Sequence, residues 1–315
     1  MTGPVPYRGR FAPSPTGPLH FGSLVAAVGS YAEARSRTGQ WLVRMEDLDR
    51  PREVPGAADA ILHTLEAFGF SWDGPVLHQS RRTAAYAAAL ARLSELDLTY
   101  PCGCSRRQMA ATAAAVGPEG PIYPGTCRRR PAARDIPPAS AASSPVPVIT
   151  PPEAIRLRVE TPPLSFHDRV QGWIVQDLMT EVGDFVLRRA DGLHAYQLAV
   201  VVDDAFQGIT DIVRGADLTR STPRQMLLQR LLGLPTPGYA HLPLALDGLG
   251  RKLSKSDAAT PVDPRDPLPA LLQAWAFLCQ PPLRARLATP AEFWARALDR
   301  WDLARVPPRA FSRVV

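Results

Sequence analysis

Lysine is all but missing from this chain. Its 36 basic residues include only two lysines, Lys252 and Lys255, and both fall within one five-residue segment. Arginine fills every other basic position, the pattern of a composition drifted towards Ala, Arg and Pro. A compact ammonium and a guanidinium fork are not interchangeable where the charge must follow a moving phosphate. The segment is therefore a candidate site on composition alone. Long apolar runs are missing too: no stretch of about eighteen or more apolar residues occurs, so no membrane-spanning helix is expected. No apolar stretch follows the basic residues of the N-terminal MTGPVPYRGRFAPSPTG. It does not read as a secretory signal, and a cytoplasmic location is expected. Cysteine is scarce, with four residues, yet Cys102, Cys104 and Cys127 share one stretch and only Cys279 stands apart. In a cytosolic chain such clustering points to a metal rather than to disulfides.

What is present is ordinary for a globular protein. The chain has 315 residues, 45% hydrophobic and 21% charged, enough for one large domain or two modest ones. The net charge of +6 mildly favours polyanionic partners. No run of basic residues interleaved with aromatics marks an RNA-binding face, and nothing indicates an obligate protein partner.

From Arg8 to about Asp73 the pattern reads strand, loop, helix, strand, helix. YRGRFAPS is a short strand ending in a turn, Leu24 to Arg37 a helix stopped by Gly39, WLVRM (41–45) a buried strand, and Ala57 to Phe70 a second helix. Such alternation argues for βαβ units and a parallel sheet. A further helix spans Ala84 to Leu96. The character changes between about Thr99 and Gly183. This region holds three cysteines, a Pro/Ala/Ser-rich stretch from Pro131 to Pro152 that reads as a mobile loop, and alternating segments such as AIRLRVE and GWIVQD. It reads as an insertion with its own small β structure. DFVLRRADGLHAYQLAVVVDD then reads as two apolar strands joined at an RADG turn, followed by a helix and a third strand in ITDIVRG. The lysine segment and short helices close the chain. The expected division is residues 1–98 and 184–245 as two halves of a Rossmann-type α/β domain, 99–183 as the insertion, and 246–315 as the lysine loop with a helical end.

Two segments carry the chemistry. In PTGPLHFGSL, Gly17 and Gly22 flank His20 at a strand-to-helix junction, where small residues let backbone N–H groups and the helix dipole meet a phosphate. In RKLSKSD, two lysines and two serines can close over a triphosphate and stabilise charge as pyrophosphate leaves. The bland alternatives are an incidental loop histidine and a solvated surface loop.

Together, His20-Phe21-Gly22-Ser23 and Lys252-Leu253-Ser254-Lys255-Ser256 resemble the HIGH and KMSKS signatures of class I aminoacyl-tRNA synthetases. GRFAPSPTGPLHFGSL followed by VRMEDLDRPR is similar to the glutamyl branch of that class. The resemblance implies ATP as substrate, with Mg²⁺ accompanying it, bound by His20, Gly22, Ser23 and Lys255, and catalysis by His20, Lys252 and Lys255. It implies a glutamate pocket from Arg10, Phe11, Ala12, Pro13, Ser14, Glu46, Tyr196 and Arg214. The chemistry is coherent: glutamate carries two carboxylates and one ammonium, so its pocket needs guanidinium forks and at least one acid. Asp47, Asp49 and Arg52 are expected to be mainly structural, ordering the loop that presents Glu46. Few residues follow the KLSKS segment, too few for the helical anticodon-binding portion of longer members. That shape resembles the shortened members that activate glutamate without tRNA and transfer it to queuosine in tRNA(Asp). A truncated enzyme charging a tRNA 3′ end and a non-catalytic RNA-binding paralogue are the rival readings.

By chemistry alone, CxC with a third cysteine at 127 suggests a tetrahedral structural metal site. The resemblance adds Zn²⁺ as the metal and Tyr123 as the fourth ligand; a water or a nearby acid is the competing fourth ligand. Cys279 is expected in the core, and His63, His78, His194 and His241 are expected to be packed or incidental.

Overall fold

The computed structural model describes residues 6–112, 115–117, 120–129, 153–246, 261–283 and 286–313. Both lysines and the stretch from Pro131 to Pro152 lie outside them. The first part runs β1 (Arg8–Phe11), α1 (Phe21–Ser36), β2 (Gln40–Met45), α2 (Ala57–Ala67), β3 (Leu77–His78) and α3 (Thr83–Glu95). The middle carries β4 (Thr99–Cys102), α4 (Arg106–Thr112), a small hairpin of β5 (Val116–Gly117) and β6 (Gly120–Pro121), then β7 (Ala154–Leu157), β8 (Leu164–Asp168), β9 (Gly172–Gln176) and α5 (Leu178–Glu181). After these come β10 (Val186–Arg188), α6 (Tyr196–Phe206), β11 (Asp211–Gly215), α7 (Thr222–Leu232), β12 (Gly238–Leu242) and β13 (Leu244–Leu246). The last elements are α8 (Pro267–Phe277), α9 (Pro290–Ala297) and β14 (Phe311–Arg313).

β1, β2 and β3 are parallel, as are β11 and β12. β1 lies alongside β11, where the Thr210 N–H donates to the Arg8 carbonyl at 3.0 Å. The parallel strands thus read β3–β2–β1–β11–β12, with the chain leaving β1 in one direction and later resuming on its other side. Ligand crevices in open α/β sheets form at such a reversal, beyond the carboxyl ends of the strands. The antiparallel hairpin β8–β9 extends this arrangement, β8 running parallel to β12 where Asp168 faces Tyr239. A second antiparallel set, β10–β7–β4, carries the cysteine region.

α1 packs on the sheet closely enough that a Cβ on Gly29 would sit 2.5 Å from Leu242 Cδ1, so glycine is what lets the helix approach. The C-terminal helices return to this core. Trp294 donates its indole N–H to the Phe68 carbonyl at 2.9 Å, and Trp301 donates to the buried Glu33 carboxylate at 2.7 Å.

Two expectations need correcting. The segment from Tyr196 to Phe206 is a helix, not a strand. Its apolar run is buried on several sides, Leu198 to Val201 together with Asp203 and Asp204, and periodicity alone does not separate such a helix from a buried strand. Cys279 is exposed just beyond α8, at φ 55°, rather than in the core. Among the described residues, no helix is long and apolar enough to cross a membrane.

Candidate active site

The chain leaving β1 passes through Ala12, Pro13 and Ser14 directly beside the end of β2. The Glu46 N–H donates to the Pro13 carbonyl at 2.9 Å and the Val54 N–H to that of Pro15 at 3.0 Å. The acids after Glu46 are engaged elsewhere. Asp47 accepts from the Ser80 N–H and hydroxyl, each at 2.8 Å, and contacts His78 Nδ1 at 3.2 Å. Asp49 accepts from Arg52 Nε at 2.7 Å and Arg189 at 3.3 Å. These bonds hold the loop from which Glu46 projects.

Behind this loop lies a buried cluster of charge. Asp204, on α6, is spanned by Arg44 at 2.8 Å and Arg10 at 3.2 Å. The Arg44 guanidinium also reaches Glu46 at 3.7 Å and donates to Gln207 Oε1 at 2.8 Å. Arg214, on β11, donates to the Tyr196 hydroxyl at 3.4 Å. Burial opposes the charged form of Asp204, yet Arg44 and Arg10 hold its carboxyl below the ordinary range. Burial pushes the Glu46 carboxyl up to about 7, against the pull of Arg44 and Arg10. Asp204 thereby balances the charge of Arg44. Arg10 Nε is held by Asp204 at 3.2 Å, and Arg214 stands on the neighbouring strand beside Tyr196. The sequence pattern thus converges in space: Arg10, Ser14, Glu46, Tyr196 and Arg214 lie around one end of the sheet. Arg44 and Asp204 were not anticipated, although a lone arginine inside the apolar WLVRM strand was their signal.

Two cavities meet here. One, of about 250 Å³, is lined by Ser14, Glu46, Arg52, Gln79, His194 and Tyr196, among others. The other, of about 520 Å³, is lined by Phe11, Ala12, Pro13, Ser14, His20, Gly22, Ser23, Arg52 and residues following β11 and β12. Ser14 and Arg52 line both. At the start of α1, His20 Nδ1 accepts from the Ser23 N–H at 3.3 Å, and His20 Nε2 lies 2.9 Å from the Ser23 hydroxyl. Gly17 turns the chain into this junction at φ 141°, which a side chain would strain. Leu244 and Ala245, ahead of the lysine segment, line the larger cavity, and Pro261, after it, bridges to His20.

The three clustered cysteines place their sulfurs within 4.8 Å of one another. Cys104 Sγ and Cys127 Sγ are 3.5 Å apart, and the Tyr123 hydroxyl lies 3.4 Å from Cys102 Sγ and 3.8 Å from Cys104 Sγ. In a tetrahedron with metal–sulfur bonds of about 2.3 Å, ligand atoms sit roughly 3.5–3.8 Å apart. The donor set and its spacing fit one metal ion.

The chain from residue 6 to 267 matches the catalytic-domain model of class I tRNA synthetases (E and Q). It is 55% identical over 306 residues to a glutamyl-Q tRNA(Asp) synthetase of Dechloromonas aromatica, with 96% of each chain covered. The chain belongs to this family. The corresponding protein of Chromobacterium violaceum is 54% identical, covering 96% of this chain and 95% of its own. The same fold occurs in the crystal structure of a glutamate tRNA ligase from Elizabethkingia meningosepticum in complex with its amino acid. The match has a TM-score of 0.77 at 24% identity and covers 99% of this chain and 67% of that one.

Proposed function

We propose that this protein activates L-glutamate with ATP, without needing tRNA, and transfers it to the queuosine base of tRNA(Asp). In the first step a glutamate α-carboxylate oxygen attacks the α-phosphorus of ATP, forming glutamyl-adenylate and releasing pyrophosphate. In the second, a hydroxyl of the queuosine cyclopentene ring attacks the activated carbonyl and AMP leaves. The observation that carries the first step is the junction at Ser14 and Arg52. There a cavity backed by guanidinium groups and Glu46 adjoins one built on the start of α1.

Arg10 and Arg214 would hold the two glutamate carboxylates, and Glu46 the ammonium. Phe11, Ala12, Pro13 and Ser14 would form the wall against which the adenylate lies. His20, with the backbone N–H groups of the first turn of α1 at Gly22, would receive the phosphates, and Lys252 and Lys255 would stabilise the departing pyrophosphate. No covalent enzyme intermediate is needed, so positioning and electrostatics would supply the rate. Zn²⁺ bound by Cys102, Cys104, Cys127 and Tyr123 would be structural, tying β4 to the loop at Tyr123 with no open position for catalysis. The queuosine acceptor is supported by the name borne by relatives above 50% identity.

Glutamate-dependent ATP–pyrophosphate exchange without tRNA tests the first step, with aspartate and glutamine as controls. Exchange with glutamate alone is expected; exchange only after tRNA is added would favour charging of a 3′ end. Transfer to tRNA(Asp) with queuosine, and none to tRNA(Asp) lacking it, is expected for the second.

A further inference from the structure

His241 plays no part in the function proposed above, yet it is wholly buried and bonded at both ring nitrogens to charged partners. The geometry points to a relay, Asp168–His241–Arg214, in which Asp168 and His241 are positioning residues that orient Arg214 for glutamate. This inference rests on the pocket assigned to Arg214 above.

Three neighbouring strands supply the relay. Arg214 on β11 and His241 on β12 are cross-strand partners, and Asp168 ends β8 beside them. Arg214 Nε donates to His241 Nε2 at 3.0 Å. A guanidinium can only donate, so Nε2 must carry the lone pair and the ring proton must sit on Nδ1. That proton points at Asp168 Oδ2, 2.6 Å away. The other carboxylate oxygen, Oδ1, accepts the backbone N–H groups of Val170, Gln171 and His241 at 2.9, 2.8 and 3.1 Å. Four donated bonds suit an ionised carboxylate, and they hold its pKa below the usual range despite burial. Burial pushes the imidazole down to about 4, so the ring is neutral at working pH. It lies parallel to the Tyr239 ring, 6.2 Å between centroids and 6° between planes, which fixes its orientation.

The consequence falls on Arg214. Its Nε is held by the ring, and one terminal nitrogen donates to Thr222 Oγ1 at 2.8 Å. The other terminal nitrogen is thereby aimed at Tyr196, which lines the smaller cavity. A flexible arginine would be rotationally free to leave the pocket; this one is pinned at Nε by His241 and at one terminal nitrogen by Thr222 Oγ1 and, at 3.3 Å, the Leu218 carbonyl. The carboxylate acts only through the tautomer it imposes.

That logic yields a specific variant. In Asp168→Asn the amide oxygen can still accept the three backbone N–H groups, but the amide NH₂ faces His241 Nδ1. The ring must then accept at Nδ1 and carry its proton on Nε2, setting N–H against N–H at Arg214. His241→Gln is the conservative counterpart, since its amide offers one donor and one acceptor across a similar N–C–O span.

The test is steady-state ATP–pyrophosphate exchange without tRNA for the wild type, Asp168→Asn and His241→Gln, with melting temperature and ¹⁵N NMR of the histidine tautomer. For Asp168→Asn we expect glutamate KM to rise roughly 10–100-fold, as for loss of a well-aligned charged hydrogen bond. The KM for ATP should stay within about threefold; the buried N–H clash should lower the melting temperature, so exchange is measured well below the unfolding of each variant. The tautomer signal should move from Nδ1–H to Nε2–H, and His241→Gln should recover most of the glutamate affinity. An unchanged glutamate KM in Asp168→Asn, or equal losses for glutamate and ATP, would overturn the relay. A wild type that exchanges with no amino acid would instead overturn the pocket reading, and the tautomer measurement would then judge the relay alone.

Discussion

Arg44 and Asp204 form an ion pair at 2.8 Å with side chains 0% and 3% exposed, and Glu46 stands 3.7 Å from the same guanidinium. The pair lies behind Glu46, which lines the smaller cavity. Removing Arg44 leaves Asp204 to Arg10 alone, at 3.2 Å, in a buried place built for two guanidinium groups.

Arg44→Ala should therefore be strongly destabilising, by about 3–5 kcal/mol, the range for breaking a buried pair from one side. Denaturant unfolding of the ligand-free protein measures it. A loss below about 1 kcal/mol would mean that water enters the cluster and that Asp204 is not held as described. Arg44→Lys keeps the charge but not the fork that reaches both Asp204 and Gln207, so an intermediate loss is expected.

The pH dependence of glutamate binding follows from Glu46. Its carboxyl is raised to about 7 by burial, against the pull of Arg44 and Arg10. Below that value the empty pocket holds a neutral acid, and binding of the ammonium must first expel a proton; above it the carboxylate is ready. Glutamate affinity should rise with pH between roughly 6 and 8, by at most about tenfold per unit, and level off beyond. Stability of the ligand-free protein should move the other way. A raised acid pKa favours the folded state at low pH, and that contribution fades as pH climbs from about 4.5 to about 7. Glutamate KM measured across this window checks the first claim. A flat profile, or one that Glu46→Gln leaves unchanged, would remove Glu46 from ammonium recognition.

How much of this was legible in the sequence depends on distance along the chain. The first parallel strands and their helices follow from local pattern, and the motif residues Arg10, Glu46, Tyr196 and Arg214 lie near one another around one end of the sheet. Arg44 was visible only as an arginine inside a strand otherwise read as core. Its partner Asp204 is 160 positions away, a pairing that no local pattern encodes. Asp168 and His241 were hidden for the same reason, since β8 meets β12 only through tertiary pairing. The helix at Tyr196–Phe206 was misread because an apolar run buried on several sides loses the alternation that separates helix from strand.

Lys255 offers a sharper chemical test. Replacing it with alanine should lower the exchange rate by about 10²–10³-fold, the usual effect of removing one preorganised donor from developing charge. Glutamate binding measured directly should be little changed, because the pocket residues stand on β1, β2, α6 and β11. An unaltered exchange rate would transfer the pyrophosphate role to Lys252 or to Arg52, which lines both cavities.

The cysteine cluster makes a prediction about composition. The purified protein should carry about one equivalent of zinc, and Cys127→Ser should lose it, because two thiolates and a phenol bind far more weakly than three thiolates. Tyr123→Phe separates the two candidates for the fourth ligand. If the phenol oxygen binds the ion, this variant should still hold zinc, through a water, but release it faster to a chelator. If a water is the native ligand, release should be unchanged. The Cys127 N–H donates to the Tyr123 oxygen at 2.8 Å, a bond that phenol and phenolate oxygens both accept, so the chelator experiment decides between them. Loss of the metal should lower the melting temperature while leaving glutamate-dependent exchange largely intact in the protein that remains folded. The cluster packs in its own small group with Tyr100 and Met109, separate from the core cluster that contains Phe11 of β1. Exchange that fell in proportion to zinc content at a temperature well below unfolding would instead give the ion a part in activation.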